Sequence, residues 1–292
     1  MNHLKNSLTS VGNYDNIGLL DTRIPNTLSF LLDKEFLSLL TDNKNIRGVF
    51  VNKNLSSLVP NSVSCHVSED PMYDFFSLFN TYHESQKNDF ESTISASAQI
   101  HETAHIANKN VVIKDGVLIG PNAVIHEDVI IGAGSSVGGG TVIGCPNIET
   151  RRTSKGLIDV FHNRSVDIGK NVIVGANCTI DKGVYDRDTV VGEGTRIGNN
   201  TLVGHGAQIE EFCFILCCTV CGSATVEKGA RINPGATIGS KVLVRKNAVV
   251  SSGAVVMSTV EIGEKVSGNF AINHNRYLKN FIKTFGLINS KK

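Results

Sequence analysis

The sequence lacks any run of about 20 apolar residues, the length that an α-helix needs to cross a membrane. Residues 1–13 also lack the apolar segment of a secretion signal. Net charge is small, because 28 Lys and Arg stand against 27 Asp and Glu, a formal net charge of +1. This balance argues against a generally basic surface for nucleic acid. We therefore expect a cytoplasmic protein with no membrane span and no nucleic-acid partner.

The seven cysteines lack the regular spacing of a small disulfide-bonded fold, so we expect reduced thiols. Four of them crowd between Cys213 and Cys221. They do not form the two Cys-x-x-Cys pairs that a zinc knuckle needs, and free cysteine is also a common small buried residue. The sequence predicts no metal site, although it leaves open whether this cluster binds a metal.

A repeat with a period of six residues fills the latter two thirds of the chain. An aliphatic residue recurs every six positions from Ile113 to Ile143, then from Ile168 to Ile180 and from Val191 to Ile215. After one five-residue step, the same spacing continues from Val220 to Ile262. These positions define 22 repeats.

Neither a helix, with a period of about 3.6 residues, nor an ordinary strand, with a period of about two, explains this spacing. A stacked coil does, because three hexads make one triangular turn with aliphatic residues inside and glycines at the corners. The sequence therefore predicts a mainly β fold, a left-handed parallel β-helix of about seven coils over residues 93–266. Residues 1–92 are predicted to form a small α/β domain, and residues 267–292 a short C-terminal helix that caps the stack.

Two insertions interrupt the array. About 19 extra residues separate Ile143 from Ile168, and a shorter insertion lies near Tyr185 to Val190. The first insertion is polar and includes Arg151 and His162, so it should project outward. A packed prism has no internal cavity, and a projecting loop is a natural wall for an external ligand site.

Among nine histidines, His205 is distinguished by its place two residues after Val203, between Gly204 and Gly206. The small neighbours predict an imidazole exposed at a corner, with room for a substrate. A neutral histidine there can act as a general base, which typically contributes about 10²–10⁴ in rate, and backbone N–H groups of glycine-rich turns can stabilise an oxyanion. On these residues alone, an ordinary surface histidine remains the alternative.

Three stretches carry a resemblance to a known family. They run from Ile168 to Gly183, from Ile197 to His205, and over Gly222-Ser-Ala-Thr225. They resemble the bacterial UDP-3-O-acylglucosamine N-acyltransferases of lipid A synthesis and related nucleotide-sugar N-acyltransferases, and the resemblance covers nearly the whole chain. It implies an acyltransferase with His205 as catalytic base, and a homotrimer whose sites lie between neighbouring chains.

The same resemblance assigns further residues. Phe30 and Phe36 fit the family's aromatic pair that holds the uracil ring, which would make residues 1–92 a nucleotide-binding domain. Two core phenylalanines are the alternative. Asn177, Asp181 and His162 are the expected substrate contacts.

The sequence also departs from the family. The acid that partners the catalytic histidine, seven residues before it, is Gly198 here, so we expect His205 to lack its usual partner and Asn199 to stabilise the oxyanion. A second Gly-His pair of the family is replaced by Gly239-Ser240-Lys241. These losses indicate a changed acyl donor, and Lys241 and Arg245 in the basic C-terminal part are its expected contacts. No tightly bound cofactor is expected, only acyl-CoA or acyl-carrier protein as cosubstrate.

We predict transfer of an acyl group from acyl-CoA or acyl-carrier protein to the amino group of a UDP- or dTDP-linked amino sugar. One alternative is the lipid A enzyme itself, using a 3-hydroxyacyl-carrier protein, and another is a β-helix scaffold without activity. A zinc carbonic anhydrase is disfavoured, because neither His126 nor His205 has the neighbouring histidine that its metal site needs. A nucleotidyltransferase needs a phosphate-binding domain much longer than residues 1–92.

Overall fold

The computed structural model describes residues 8, 11–86, 89–268 and 271–285. The N-terminal part is a parallel four-stranded sheet whose strands stand in sequence order. These strands are β1 (Asn16–Ile17), β2 (Thr27–Leu31), β3 (Ile46–Val51) and β4 (Ser64–Val67). Their connections hold helix α1 (Leu37–Asp42) and two 3-10 helices, Lys34–Phe36 and Lys53–Leu58.

Helix α2 (Pro71–Ser85) packs on β2 and β3. Proline suits its first turn, because an N–H there has no partner within the helix. The Asp70 carboxylate caps the helix by accepting a 2.9 Å hydrogen bond from the Tyr73 N–H. One face of α2 is completely buried through three aromatic side chains, Phe75, Phe76 and Phe79.

The rest of the chain forms a three-faced prism, with strands numbered in chain order. The first face holds β5 (Thr93–Ile94), β8 (Val111–Ile113), β11 (Val129–Ile131), β16 (Val166–Ile168), β19 (Thr189–Val191), β22 (Gln208–Ile209), β25 (Thr225–Val226) and β28 (Leu243–Val244). The second face holds β6 (Gln99–Ile100), β9 (Leu118–Ile119), β12 (Ser136–Val137), β17 (Ile173–Val174), β20 (Arg196–Ile197), β23 (Phe214–Ile215), β26 (Arg231–Ile232), β29 (Val249–Val250) and β31 (Lys265–Val266). The third face holds β7 (His105–Ile106), β10 (Val124–Ile125), β13 (Val142–Cys145), β18 (Thr179–Asp181), β21 (Leu202–Val203), β24 (Thr219–Val220), β27 (Thr237–Ile238) and β30 (Val255–Val256).

Two elements lie outside the prism. The first insertion folds into an antiparallel hairpin of β14 (Thr150–Thr153) and β15 (Gly156–Asp159). Helix α3 (His274–Phe285) follows the last coil. None of the helices in the described part of the chain combines the length and apolar character needed to span a membrane.

The period of six is explained by how the prism packs. Each strand pairs in parallel with the strand one coil away on the same face, as Ile125 pairs with Ile143. Both side chains point inward and are completely buried. Burying one such side chain is worth about 1.5–3 kcal/mol. Corner residues such as Asn200, with φ of 57°, adopt the left-handed conformation that asparagine tolerates. The predicted left-handed parallel β-helix is confirmed.

The stack is longer than the predicted seven coils. Within the described residues it begins with the β5 residue Ile94 and has eight or nine strands on each face. The first three strands were not counted among the 22 repeats, because the step from Ile106 to Ile113 is seven residues instead of six. At the other end, Ile262 was predicted to be interior but is 67% exposed, and Val260 is 1% exposed in its place.

Helix α3 forms as predicted, but the prediction that it caps the stack is wrong. Every side chain from 271 to 283 is exposed, so α3 does not cover the last coil. Its amphipathic spacing predicted an apolar face without indicating what that face contacts. The exposed apolar residues of this face are Tyr277, Leu278, Phe281 and Ile282.

Candidate functional site

Three features of the chain meet along one edge of the prism, where the chain passes from the third face to the first. The first insertion leaves this edge after β13, the second after β18, and His205 follows β21. These three strands are successive neighbours on the third face. The coil repeat therefore brings together segments that are far apart in the sequence.

The hairpin of the first insertion is held against helix α2. The N–H and hydroxyl of Ser154 both donate to one Asp70 oxygen, at 2.6 and 2.5 Å. The Lys155 ammonium lies 3.9 Å from the centre of the Tyr73 ring, a cation–π distance. Burial opposes ionisation of Asp70, but hydrogen bonds from Ser154 and the Tyr73 N–H outweigh it and lower the pKa of the carboxyl. The hairpin is thus held in a fixed position against α2 and can form one wall of a site.

His205 lies at the corner after β21, directly against the next coil. A side chain at Gly222 would place its Cβ 2.5 Å from His205 Nε2, so only glycine leaves the imidazole its space. The His205 side chain is 19% exposed. Its Nδ1 atom is buried and has no hydrogen-bond partner among the described residues. His205 is therefore more enclosed than the exposed corner histidine that the sequence predicts.

An acidic side chain reaches His205 from the first insertion. Glu149 Oε2 lies 3.6 Å from His205 Nε2, and the Glu149 side chain is 12% exposed. The other Glu149 oxygen accepts hydrogen bonds from the Arg151 guanidinium and, at 2.8 Å, from the Tyr185 hydroxyl. Burial and Glu149 together raise the pKa of Tyr185, so its hydroxyl stays protonated. Gly198 leaves His205 without the usual acidic partner from the coil, and Glu149 places an acidic group beside it from the first insertion.

His162 is the second histidine of the site. It is 5% exposed, and its ring centre lies 6.0 Å from that of His205, with the planes nearly perpendicular. Burial, and then the nearby His205, lower the pKa of His162, which keeps it neutral at pH 7. Its Nε2 atom is also buried without a hydrogen-bond partner in the described part of the chain.

Asp181 ends β18, whose residue Ile180 pairs with Val203 two positions before His205. The Asp181 side chain is 2% exposed and accepts a 2.5 Å hydrogen bond from the Asn147 amide. Burial raises the pKa of its carboxyl against the opposing effect of this hydrogen bond. Asp181 therefore lies near His205, with its carboxylate enclosed.

A cleft opens between the first insertion and the prism edge. Its volume is about 580 Å³, within the range of small-molecule sites. Glu149 and His162 form part of its wall, so His205 lies just behind two lining residues. The Lys182 ammonium also lines the cleft and pairs with Asp128. The cleft combines apolar surface with both signs of charge.

Two predicted site residues lie elsewhere. Asn199 follows β20 and Asn177 follows β17, so both occupy the corner between the second and third faces. Asn199 Oδ1 accepts a 2.8 Å hydrogen bond from the Ala176 N–H, which ties one coil to the next. Asn177 is exposed, with φ of 54°. The structure does not bring them to His205, because they stand one corner earlier in the coil.

The predicted nucleotide-binding pair is also separated. Phe30 packs against the rings of Phe75 and Phe76, with centres 4.5 and 5.5 Å away. Phe36 is 43% exposed, and the described rings include no contact between it and Phe30. Phe30 therefore belongs largely to the apolar core, whereas Phe36 is accessible.

The predicted donor contacts differ in position. The Lys241 N–H bonds the Gly222 carbonyl, and the next N–H of that coil, Ser223, bonds the His205 carbonyl. Lys241 thus lies on the same edge of the prism as His205, two coils further along. At the usual strand spacing, the two backbones are about 10 Å apart. Arg245 occupies a different corner and pairs with Glu261 at 3.2 Å.

The cysteine cluster does not converge on one point. Burial raises the pKa of Cys213 to about 11 and that of Cys218 to about 12, so both are neutral thiols in the core. Cys217 is exposed. Over the ranges that the structure describes, no three or more His, Cys, Asp or Glu side chains are grouped so as to hold a metal ion.

Comparison with known proteins matches part of the repeat region to a family model. Residues 110–145 match the family model of the bacterial transferase hexapeptide (six repeats). A crystal structure of a UDP-N-acetylglucosamine acyltransferase from Bacteroides fragilis aligns with 56% of this chain and 67% of that chain, at 23% identity and a TM-score of 0.44. Residues 110–145 therefore carry the hexapeptide repeat of that family model.

Curated relatives define the family more closely. A UDP-3-O-acylglucosamine N-acyltransferase from Coxiella burnetii is 31% identical over 238 residues, which cover 71% of this chain and 68% of that protein. One from Helicobacter pylori is 31% identical and covers 68% of this chain and 65% of that protein. This chain belongs to the UDP-3-O-acylglucosamine N-acyltransferase family. A relative from Rhizobium johnstonii is 45% identical over 71 residues, and there the chain spans only 20% of that relative's length.

Proposed function

We propose that this chain transfers an acyl group from acyl-CoA or acyl-carrier protein to the amino group of a UDP- or dTDP-linked amino sugar. The observation that carries the proposal is the position of His205, just behind two lining residues of a cleft of about 580 Å³. A histidine beside a partly enclosed polar cleft suits proton removal from an attacking amine. The names of the curated relatives support this reaction class.

In the proposed reaction, the sugar amine attacks the thioester carbonyl carbon while His205 takes one of its protons. The tetrahedral intermediate then collapses, the C–S bond breaks, and the departing sulfur receives the proton from the imidazolium. The products are an amide and a free thiol. Lys182, which lines the cleft, is better placed than Asn199 to stabilise the oxyanion. No metal or tightly bound cofactor is needed for this sequence of steps.

His162 and Asp181 are the proposed contacts of the amino sugar, since both lie beside His205. For the nucleotide, the exposed Phe36 can stack on a base, with residues 1–92 as the binding domain. For the donor, Lys241 offers positive charge to a CoA phosphate or an acidic carrier protein on the same edge as His205. We place this chemistry in the cytoplasm.

We also propose that the chain works as a homotrimer with its sites completed between neighbours. The prism surface is convex, and a groove between two copies would deepen the cleft. Three side chains on the second face are large, apolar and more than 40% exposed, which suits contact with another copy: Leu118, Ile173 and Phe214. Native mass spectrometry should give three times the chain mass, and a single-chain mass would contradict this assembly.

The test incubates the protein with a panel of UDP- and dTDP-amino sugars and either acetyl-CoA or a 3-hydroxyacyl-carrier protein, with products identified by mass spectrometry. Product from the CoA donor alone supports a changed donor, and product from the carrier protein alone supports the lipid A reaction itself. No product with any pair favours a scaffold without activity.

The residue assignment needs its own comparison. His205→Gln should lower the rate about 10²–10⁴-fold, because the general base is lost. His101→Gln is the matched control, since His101 is exposed on an early coil and should leave the rate unchanged. Equal rates for His205→Gln and the wild type would refute the assignment of His205.

A further inference from the structure

We infer that Glu149 is the positioning carboxylate of His205, supplied by the first insertion instead of by the coil itself. This inference rests on the proposed function, in which His205 is the base. A histidine base works best when a carboxylate fixes its tautomer and stabilises the imidazolium that forms.

The coil offers no such group before His205. Gly198 stands seven residues earlier and has no side chain, and a Cβ there would lie 3.2 Å from the backbone nitrogen of Cys217. Among the described acidic groups, Asp181 and Glu149 face His205. The Asp181 carboxylate already accepts a hydrogen bond from the Asn147 amide. Burial also raises the pKa of this carboxyl, which makes it less suitable as a permanent anion.

Glu149 is arranged differently. Arg151 and Tyr185 both bind its Oε1 atom, so its Oε2 atom is left toward His205 Nε2 at 3.6 Å. Arg151 also donates a 3.0 Å hydrogen bond to the Tyr185 hydroxyl, which closes a three-membered network. The guanidinium holds the carboxylate by an ion pair, and a 12% exposed side chain has little freedom to move away.

The network has supports on two sides. The hairpin carrying Arg151 is tied to helix α2 through Ser154 and Asp70, and the Arg151 guanidinium lies 5.7 Å from the centre of the Phe76 ring. Tyr185 comes from the second insertion and packs near the same helix, 6.4 Å from that ring. The position of Glu149 is therefore fixed by the N-terminal part as well as by the prism.

In this arrangement the Glu149 carboxylate lies beside Nε2 of His205, whereas the other ring nitrogen, Nδ1, is enclosed. When His205 takes the amine proton, the imidazolium forms beside an anion. Glu149 stays ionised throughout, and the proton leaves with the thiol. The other charged or titratable groups facing His205 are His162, Asp181 and, through the carbonyl of Gly206, Arg187.

The test compares Glu149→Gln with Glu149→Asp, and uses Glu211→Gln as a control on an exposed surface glutamate. Glu149→Gln preserves size but removes the charge, so kcat should fall about 10- to 100-fold. The acid limb of the kcat/KM profile should move to lower pH, because an imidazolium without its anion loses its proton more easily. Glu149→Asp keeps the charge and should leave the limb near its wild-type position, and Glu211→Gln should change neither quantity.

The titration of His205 is also followed by NMR without substrate, with its signal assigned by its absence in His205→Gln. A lower His205 pKa in Glu149→Gln supports the inference even if no acyl transfer is found, so failure of the proposed function stays distinguishable. An unchanged His205 titration, with or without a loss of rate, would mean that Glu149 only supports the fold and would overturn the inference.

Discussion

At the scale of single residues, the site depends on an absent side chain as much as on those present. The imidazole of His205 occupies the space above Gly222, where a Cβ would approach Nε2 to 2.5 Å. Gly222 has no positive φ, so alanine fits its backbone conformation and only the contact is changed.

Gly222→Ala should therefore displace the imidazole and lower kcat by about 10-fold or more, since misplacing a catalytic group by about 1 Å can cost about 10²-fold. The melting temperature should shift little, because the imidazole that must move is not part of the apolar core of the stack. Gly268→Ala is the control, since a Cβ there meets nothing within 4 Å. Full activity in Gly222→Ala would show that this contact does not position His205.

His83 in the last turn of α2 links stability to pH. Burial lowers its pKa to about 4 from the ordinary 6.5, so the folded chain holds it neutral where the unfolded chain would bind a proton. The stability that neutral His83 contributes to the folded state is complete above pH 6.5 and declines as the pH falls from 6.5 to 4. At about 1.4 kcal/mol per unit, up to about 3 kcal/mol is lost by pH 4.

Denaturant unfolding at pH 7 and pH 4.5 measures this effect. His83→Gln should be less stable than the wild type at pH 7, but its stability should fall less between the two values. His101→Gln, in which the lost histidine is exposed, should keep the wild-type pH dependence. A His83→Gln profile parallel to that of the wild type would contradict the assignment.

His205 could be predicted from the sequence, because the repeat places this histidine between two glycines at a corner. The role of Glu149 could not be predicted, because it lies in an insertion where the period of six does not apply. The contact between Glu149 and Tyr185 depends on how two insertions fold back across 36 residues of sequence. The resemblance assigned Asn199, which lies one corner before His205 in the coil, because a match to a family motif does not show which corner of this chain carries the cleft.

At the scale of elements, the hairpin and helix α2 act as one support. Asp70 uses one oxygen to cap α2 and the other to hold Ser154, so the two roles can be separated by mutation. Asp70→Ser retains a good capping residue but removes the second oxygen.

Trypsin can report on this tether, because Arg152 and Lys155 lie in the hairpin. Asp70→Ser should speed cleavage there several-fold, since local opening becomes easier, while the far-UV circular dichroism of the helices stays unchanged. Ser154→Ala, which keeps the backbone N–H bond to Asp70, should have a smaller effect. Cleavage at the wild-type rate in Asp70→Ser would show that the tether does not hold the hairpin.

The elements themselves were largely predictable. Isoleucine and valine at steps of six can be buried only in a coil of that length, so the prism followed from periodicity alone. Its first strands lie within the predicted range 93–266 but were left out of the repeat count, because the step changes after Ile106. The last interior residue was misplaced where the step changes again, near Val260. The partner of α3 could not be predicted, because amphipathicity identifies an apolar face but not the surface that covers it.

At the scale of the whole molecule, stability is distributed along one dimension. Each coil contacts only its neighbours, so a defect in the middle separates two halves whereas a defect at the end frays one coil. Ile180 is completely buried in a central coil, and Ile100 is only partly buried in the first.

Ile180→Ala should lower the free energy of unfolding by about 2–5 kcal/mol, through lost burial and the cavity left behind. Ile100→Ala should cost less than half as much. Denaturant unfolding monitored by circular dichroism compares the two. Equal losses would indicate that the stack unfolds as a single block without fraying from its end.

The edge between the third and first faces can carry loops of different length. Both insertions and His205 leave the prism at the same corner of successive coils, while the strands on either side keep their register. A loop at this corner can thus lengthen, shorten or change its residues without moving the strand that follows. Substrate preference could then diverge between related proteins through these loops alone, and an acid lost from the coil could be regained from a loop without rebuilding the scaffold.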